Sequence, residues 1–558
     1  MKSLVLAFLV GGVLVLQPAS IEQVSQGSKP APQLVESFDG LGVGFQGPQG
    51  TYDGRNPSDN SLAVGPDHIV QTVNTRVAIF TKAGKKYRKT GDVLYGPVPI
   101  NTFFAGLGGP CDKHNNGDTV VRYDQLADRW LVTMPIFMRI PPAEVGDRPP
   151  LERPAPPGLL ARPGQASSPG PAVALPSNPP IPPPVAPQGR GQGRGQPGAG
   201  QPPAPPPPGT YAMCYAISVG SDPLGSYYRY AFERPLFPDY PRPAVWIDGY
   251  YNPTSVSDNR ISDTIATEKH ACVVDRARML KGEPASEQCQ MVTNVNFLNN
   301  ADIDGQATPP QGAPNVMLAA GGTQLDKIFD ASTIDVWQYH VDWKDPTKTT
   351  LQGPEKIAVA PYHYLCDGQL TNCVPQPGTD HRLDAQGDKI MSRVVYRRIG
   401  SRESIVAVHS VNTAAGGGGV RWYELQIEKA RNVTLKQQGT YAPDTFFRWM
   451  ASPAIDRAGN IGIGYSFGGT PNFAGQRFAG RLANDPPGQL TLREAVLAEG
   501  EAPQSTAPRT TERWEDYTTT AMDPSDDCTI WYVGDYLKKD ATSYSTRIGS
   551  FRMPGCTR

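Results

Sequence analysis

A short phrase recurs along this chain: an apolar run, an Asp in a turn, then a second apolar run. It reads Ala63-Val64-Gly65-Pro66-Asp67-His68-Ile69-Val70 near the start, and Val121-Arg122-Tyr123-Asp124 followed by Arg129-Trp130-Leu131-Val132 further on. It returns at Val245-Trp246-Ile247-Asp248-Gly249-Tyr250-Tyr251, at Ala454-Ile455-Asp456 leading to Asn460-Ile461-Gly462-Ile463, and at Ala521-Met522-Asp523 leading to Thr529-Ile530-Trp531-Tyr532. Strand, Asp-centred turn, strand is a β-hairpin signal, and several degenerate copies argue for a radial or stacked repeat rather than one sandwich. The pattern specifies an architecture and is silent on activity.

Cutting the chain at the repeats yields seven units, roughly 59–105, 117–233, 239–300, 313–358, 388–427, 446–500 and 511–553. Without the insert described below, a unit averages about sixty residues, longer than the ~40–45 of a compact propeller blade, so long connections are expected. The expected fold class is all-β: a single closed β-propeller over 59–558, with seven blades, six or eight fitting the length nearly as well. Closure usually takes one strand from each chain end, and Leu34-Val35-Glu36-Ser37-Phe38, in the N-terminal segment 21–58, is suited to lie beside Arg547-Ile548-Gly549-Ser550-Phe551. Two β-sandwiches would compete, but they need a linker that is missing outside the insert. The pair 404–411 and 420–427 reads as a hairpin across Gly416-Gly417-Gly418-Gly419, where glycine permits the positive φ of a tight turn. Residues 490–499 form one of the few helical-looking stretches.

Residues 1–20 carry Lys2, an apolar run from Leu4 to Leu16 and a small-residue end at Ala19-Ser20, the three parts of a secretory signal peptide. The apolar part is short for a membrane span, so secretion or release to the periplasm is expected. Segment 141–208 holds 24 of the 58 prolines and has little to bury, so it reads as a disordered insert inside the second unit. A formal charge of −1 removes the usual signature of a nucleic-acid or polybasic membrane binder. A monomer is expected, with no membrane span.

Eight cysteines in an exported chain suggest up to four disulfides, although 105 pairings are allowed. Proximity favours Cys366–Cys373, Cys272–Cys289 and Cys528–Cys556, leaving Cys111–Cys214. No C-x-x-C occurs, so no cysteine metal site is assigned.

Three phrases carry a resemblance: Cys373-Val374-Pro375-Gln376-Pro377-Gly378-Thr379, Val420-Arg421-Trp422-Tyr423-Glu424-Leu425, and Trp514-Glu515-Asp516-Tyr517 leading to Asp526-Asp527-Cys528-Thr529-Ile530-Trp531-Tyr532. Over most of its length outside the insert, the chain resembles a group of exported bacterial β-propeller-like proteins with no established activity. The resemblance implies secretion and a propeller fold and brings no catalytic residue. Glu515 departs from it, standing where the group often has Gly.

Gly464-Tyr465-Ser466-Phe467-Gly468 matches the serine-hydrolase pattern G-x-S-x-G, but Gly469-Thr470-Pro471 follows where a helix is needed and no His lies beyond His409. It reads as a blade turn. Asp302-Ile303-Asp304-Gly305 begins like a calcium loop, lacks the later Glu, and reads as a turn. The turn residues Asp67, Asp124, Asp248, Asp456 and Asp523 read as structural.

Polar residues just ahead of the innermost strands are the candidate site, because those positions line the mouth of a propeller channel. They are Asp59, Asp118, Asp239, Tyr240, Asp388, Arg448, Trp449, Asp516 and Tyr517, with Trp514 as a further stacking face. Such a ring suits a glycan, peptide or surface partner, and could hold Ca²⁺, although no cofactor is required. Each Asp has a competing role, accepting backbone N–H groups of its own turn. The alternative function is a sialidase-like glycoside hydrolase or polysaccharide lyase using Arg448, Glu515, Asp516 and Tyr517; an enzyme of this kind needs its acid and its base or nucleophile in one pocket.

Overall fold

The computed structural model describes residues 21–54, 56–140, 170–175, 210–234, 238–255, 269–292, 295, 297–321, 332–368, 372–387, 389–506 and 511–556. Segment 1–20, expected as a signal peptide, and nearly all of insert 141–208 therefore lie outside the described residues. The chain is mostly β, and each recurring phrase becomes the inner hairpin of an antiparallel meander.

Among the described residues, the meanders follow one another in chain order. The first comprises Ser61–Val64, His68–Val73, Arg76–Thr81 and Val93–Pro99. The second runs Val120–Asp124, Arg129–Ile140, Thr210–Ser218 and Ser226–Arg234, and the third Ala244–Val245, Tyr250–Tyr251, Lys269–Val274 and Glu287–Val292. The fourth is Asn299–Ile303, Asn315–Ala320, Thr333–His340 and Thr350–Ala358. The fifth is Val394–Ile399, Arg402–Asn412, Gly418–Ile427 and Val433–Tyr441. Parallel pairing of Ala301–Ile303 with Val394–Tyr396 merges these two, with Glu22–Gln23 on the far edge, into one curled nine-stranded sheet. The sixth comprises Phe447–Ile455, Ile461–Gly469, Asn472–Arg481 and Leu492–Ala498.

The seventh is built from both chain ends: Thr519–Met522, Thr529–Tyr536 and Ser545–Arg552, with Gln33–Asp39 as its outer strand, antiparallel to Ser545–Arg552. The first strand of each unit contacts the first strand of the next, and that of the seventh contacts that of the first.

The apolar core lies in the seams between neighbouring units. Leu62, Val64 and Ile69 of the first unit meet Trp531, Val533 and Ile548 of the seventh, while Ala63, Val70 and Val77 meet Trp130 and Val132 of the second. Ala454 and Phe478 of the sixth meet Tyr532 and Phe551 of the seventh. Each fully buried Leu, Val or Phe contributes roughly 1.5–3 kcal/mol by leaving water, so the nearest-neighbour seams dominate stability. Two glycines are needed for this packing: a Cβ on Gly65 would lie 2.6 Å from the Trp130 ring, and one on Gly464 would lie 2.4 Å from the Tyr532 ring.

The turn aspartates join the units at one end. Asp124 accepts backbone N–H groups of its turn, at 3.1 Å from Leu126 and Ala127, and also pairs with Arg276 of the third unit at 2.6 Å. Asp523 pairs with Lys82 of the first unit at 2.9 Å.

Four disulfides join Cys111 to Cys214, Cys272 to Cys289, Cys366 to Cys373 and Cys528 to Cys556. Four such bonds are compatible with a secreted protein. Among the described residues, no helix is long and apolar enough to cross a membrane. Peptide mapping of non-reduced protein should recover all four links and no free thiol; an unlinked Cys366 or Cys528 would contradict the assignment.

Three local readings are corrected. Residues 490–499 contain the strand Leu492–Ala498 rather than a helix, because Leu492 and Leu497 fill the seam with the seventh unit. The fourth unit begins at Asn299 rather than 313, and Asp302 belongs to its innermost strand rather than to a turn. The fifth extends to Tyr441, beyond 427, since Val433–Tyr441 is its outer strand.

Candidate functional site

The innermost strands bring their leading residues together at the end opposite the turn aspartates. The backbone there repeats an unusual conformation: Asp59, Asp118, Tyr240 and Asp516 have φ of 50°, 49°, 54° and 65° ahead of the first strands of units one, two, three and seven. A positive φ is uncommon outside glycine, and its recurrence shows that surrounding contacts hold these sharp turns in place.

Within this cluster, the rings of Tyr240 and Tyr517 stack with centroids 4.2 Å apart, and Phe297 meets Tyr240 edge-on at 5.3 Å. Tyr517 donates to Asp118 Oδ2 at 3.2 Å, and Tyr240 donates to the Asp516 carbonyl. Asp59 accepts from Asn74 Nδ2 at 2.6 Å and from the Asp118 N–H at 3.4 Å. Asp516 pairs with Arg513 and accepts from Gln386 at 3.1 Å.

Cations surround the rings: the Arg242 guanidinium lies 4.2 Å from the Tyr240 centroid, and Lys389 and Lys269 lie 4.5 and 5.2 Å from that of Phe297. Ammonium and guanidinium groups over an aromatic face are attracted by its quadrupole. Burial, with the charge of Asp118 added, pushes the Tyr517 phenol well above its ordinary range. Most of this cluster is buried, while Asp239 and Arg513 reach the surface.

The expected site residues thus divide. Asp59, Asp118, Tyr240, Asp516 and Tyr517 belong to one cluster. Asp239 adjoins it through Tyr240, and Asp388 lies outside the described residues. Arg448 belongs elsewhere: within its strand it is bound by Asp444 at 2.8 Å and Glu494 at 2.7 Å, and Glu494 is also held by Arg477 and Tyr465. It shares no contact with Asp516 or Tyr517, because its strand turns it onto the sheet face opposite its neighbour Trp449. Trp449 packs on Trp514 with centroids 6.0 Å apart, and both are fully buried.

Ser466, of the G-x-S-x-G phrase, is also sealed. It donates to Glu515 Oε2 at 3.0 Å and accepts from Trp514 Nε1 at 2.9 Å, with no His beside it. Among the described residues, the one group with three Cys, His or carboxylate ligand atoms at metal-binding spacing is Cys272, Glu287 and Cys289, whose sulfurs form a disulfide.

Sequence reasoning missed a buried charged network that joins five units, reading Asp302 and Asp304 in it only as a turn. Arg393 binds Asp302 Oδ2 at 2.7 Å and Asp304 Oδ1 at 2.6 Å, and donates to the Thr520 carbonyl at 3.3 Å. Arg122 reaches the same Asp302 oxygen at 3.2 Å, the Pro243 carbonyl at 3.0 Å and Ser392 Oγ at 3.2 Å. Asp302 Oδ1 takes the Val245 N–H at 2.8 Å. This network links units two, three, four, five and seven, and the cavity beside it, about 20 Å³, has room for one water. Burial works to lower both guanidinium groups: it takes Arg122 down to about 10, whereas Asp302 and Asp304 together raise Arg393 above its ordinary value. The available signal was the period-two spacing of Asp302, in the strand Asn299–Ile303, and Asp304, just past its end.

No family model matches the chain, and no curated protein matches it. Among solved structures, it is similar to a Dyadobacter fermentans protein of unknown function, with 8% identity over 94% of this chain and 100% of that one, at a TM-score of 0.34. It is also similar to the endo-1,5-alpha-L-arabinanase of Thermotoga petrophila, with 11% identity over 89% of this chain and 98% of that one, at a TM-score of 0.24.

Proposed function

We propose that the chain is an exported, closed seven-bladed propeller that binds a glycan across the mouth floored by Tyr240 and Tyr517. The cyclic contacts of the first strands and the outer strand Gln33–Asp39 support closure. The observation carrying the binding reading is the surface-reaching pair Asp239 and Arg513 beside the buried Tyr240–Tyr517 stack. A carboxylate at the rim accepts the hydroxyl protons of a sugar, and a guanidinium there donates to its hydroxyl or carboxylate oxygens.

Catalysis is the weaker reading. Its four candidate residues divide between separate places, and Arg448 and Glu515 are both wholly buried. A pair that substrate cannot touch supplies neither acid nor base.

The test is calorimetric titration with neutral and acidic oligosaccharides. The variants Asp239→Ala and Arg513→Ala, both at the rim, should weaken binding by about tenfold each, equal to ~1.4 kcal/mol; Asp239→Ala keeps the parent's melting temperature, while Arg513→Ala lowers it by leaving the buried Asp516 carboxylate without its cation. Undiminished affinity in both variants, or no oligosaccharide bound by the parent, would refute the assignment.

A further inference from the structure

We infer that Glu515 and Asp535 form a proton-held clasp joining units six, seven and one, which loosens as pH rises. Both side chains are 0% exposed. Glu515 accepts from Ser466 Oγ at 3.0 Å and Gln476 Nε2 at 2.8 Å on the sixth unit, and from the Asp535 N–H at 2.6 Å. Asp535 Oδ1 accepts from Asn60 of the first unit. The backbone adds to the same junction, since the Asp59 N–H donates to the Glu515 carbonyl at 2.8 Å.

Every side-chain donor here is neutral. Among the described residues, neither carboxyl is paired with a basic side chain, unlike Asp302 or Glu494. The other titratable groups facing the pair are Tyr532 on the strand of Asp535, Tyr52 and Tyr544 towards the chain ends, and Asp59. None is a cation. Two carboxylates in a dry site with no counter-charge cannot both ionise, so a proton stays on the pair.

Burial drives both groups up: Asp535 to about 7, and Glu515 well above the carboxylate range, with the charge of Asp535 adding to the effect. A carboxyl whose folded value is raised holds its proton more tightly when folded. Its stabilisation is complete below the unfolded value of about 4 and is lost as pH rises through 7 and, for Glu515, beyond. Buried His270 and His409, both pulled down to about 3 by desolvation, act in the opposite sense between about 3 and 6.5. The clasp must therefore be read as a difference between proteins.

Urea midpoints of the full chain and of Glu515→Gln and Asp535→Asn, taken at about pH 5, 7 and 9, provide that difference. Relative to either amide variant, the parent should lose on the order of a hundredfold in its folding constant between the acid and alkaline ends. Parallel profiles would overturn the clasp. If neither variant folds, infrared spectra of the parent at neutral pH decide the matter: a protonated-carboxyl carbonyl band that disappears on denaturation supports the clasp, and its absence refutes it.

Discussion

Replacing Arg393 with alanine is expected to be the most damaging single side-chain change in this protein, destabilising it by about 3–5 kcal/mol. The guanidinium is buried and binds Asp302 at 2.7 Å and Asp304 at 2.6 Å, so its removal takes from Asp304 its direct ion pair and leaves Asp302 paired with Arg122. An uncompensated buried carboxylate is the expensive outcome, whereas neutralising the whole group at once is often tolerated. The quadruple variant Arg122→Met, Arg393→Met, Asp302→Asn, Asp304→Asn, which removes every charge of the network, should therefore recover much of the loss. Urea unfolding checks both. An Arg393→Ala protein within about 1 kcal/mol of the parent would show that the network is solvated and idle.

Deletion of residues 33–39 should have a comparable effect by a different route. This strand pairs six residues with Ser545–Arg552, and Asp39 at its end accepts from Tyr536 at 2.7 Å and binds Lys538 at 2.9 Å. Its Phe38 ring packs 5.4 Å from Phe80 of the first unit. Without it, Ser545–Arg552 becomes a long bare edge, which templates association with other chains. The expected result is loss of soluble monomer on size exclusion. A synthetic peptide spanning 31–41, added during refolding, should restore it by strand addition. A monomeric, cooperatively unfolding deletion protein would refute the closing role.

The buried charged network and the clasp at the seam use opposite solutions to one problem. Asp302 and Asp304 are paired with Arg122 and Arg393, while Glu515 and Asp535 have neutral donors and keep a proton instead. The cations of the first arrangement stay charged across the physiological range. The second changes with pH, and it adjoins Asp516 and Tyr517 at the mouth.

Much of the architecture was legible in the chain because its signals are local. An apolar run, a turn aspartate and a second run specify a hairpin wherever they occur, and Cys366 and Cys373 are close enough in sequence to meet without knowledge of the fold. Leu492–Ala498 misled for the same reason: a short apolar run has no intrinsic period strong enough to separate helix from strand, and its seam with the seventh unit decided it.

The sequence alone determined the β character and the repeated hairpins, favoured three of the disulfides by proximity and pointed to polar residues ahead of the inner strands. Tertiary structure decided which of those residues meet. Arg448 and Tyr517 occupy similar places in their repeats, yet a sheet face takes one into a carboxylate cage and the other onto Tyr240. Arg122 and Ser392 touch across 270 positions in the charged network. Such contacts depend on the order and angle at which whole sheets pack, a property of all units together that no local pattern encodes.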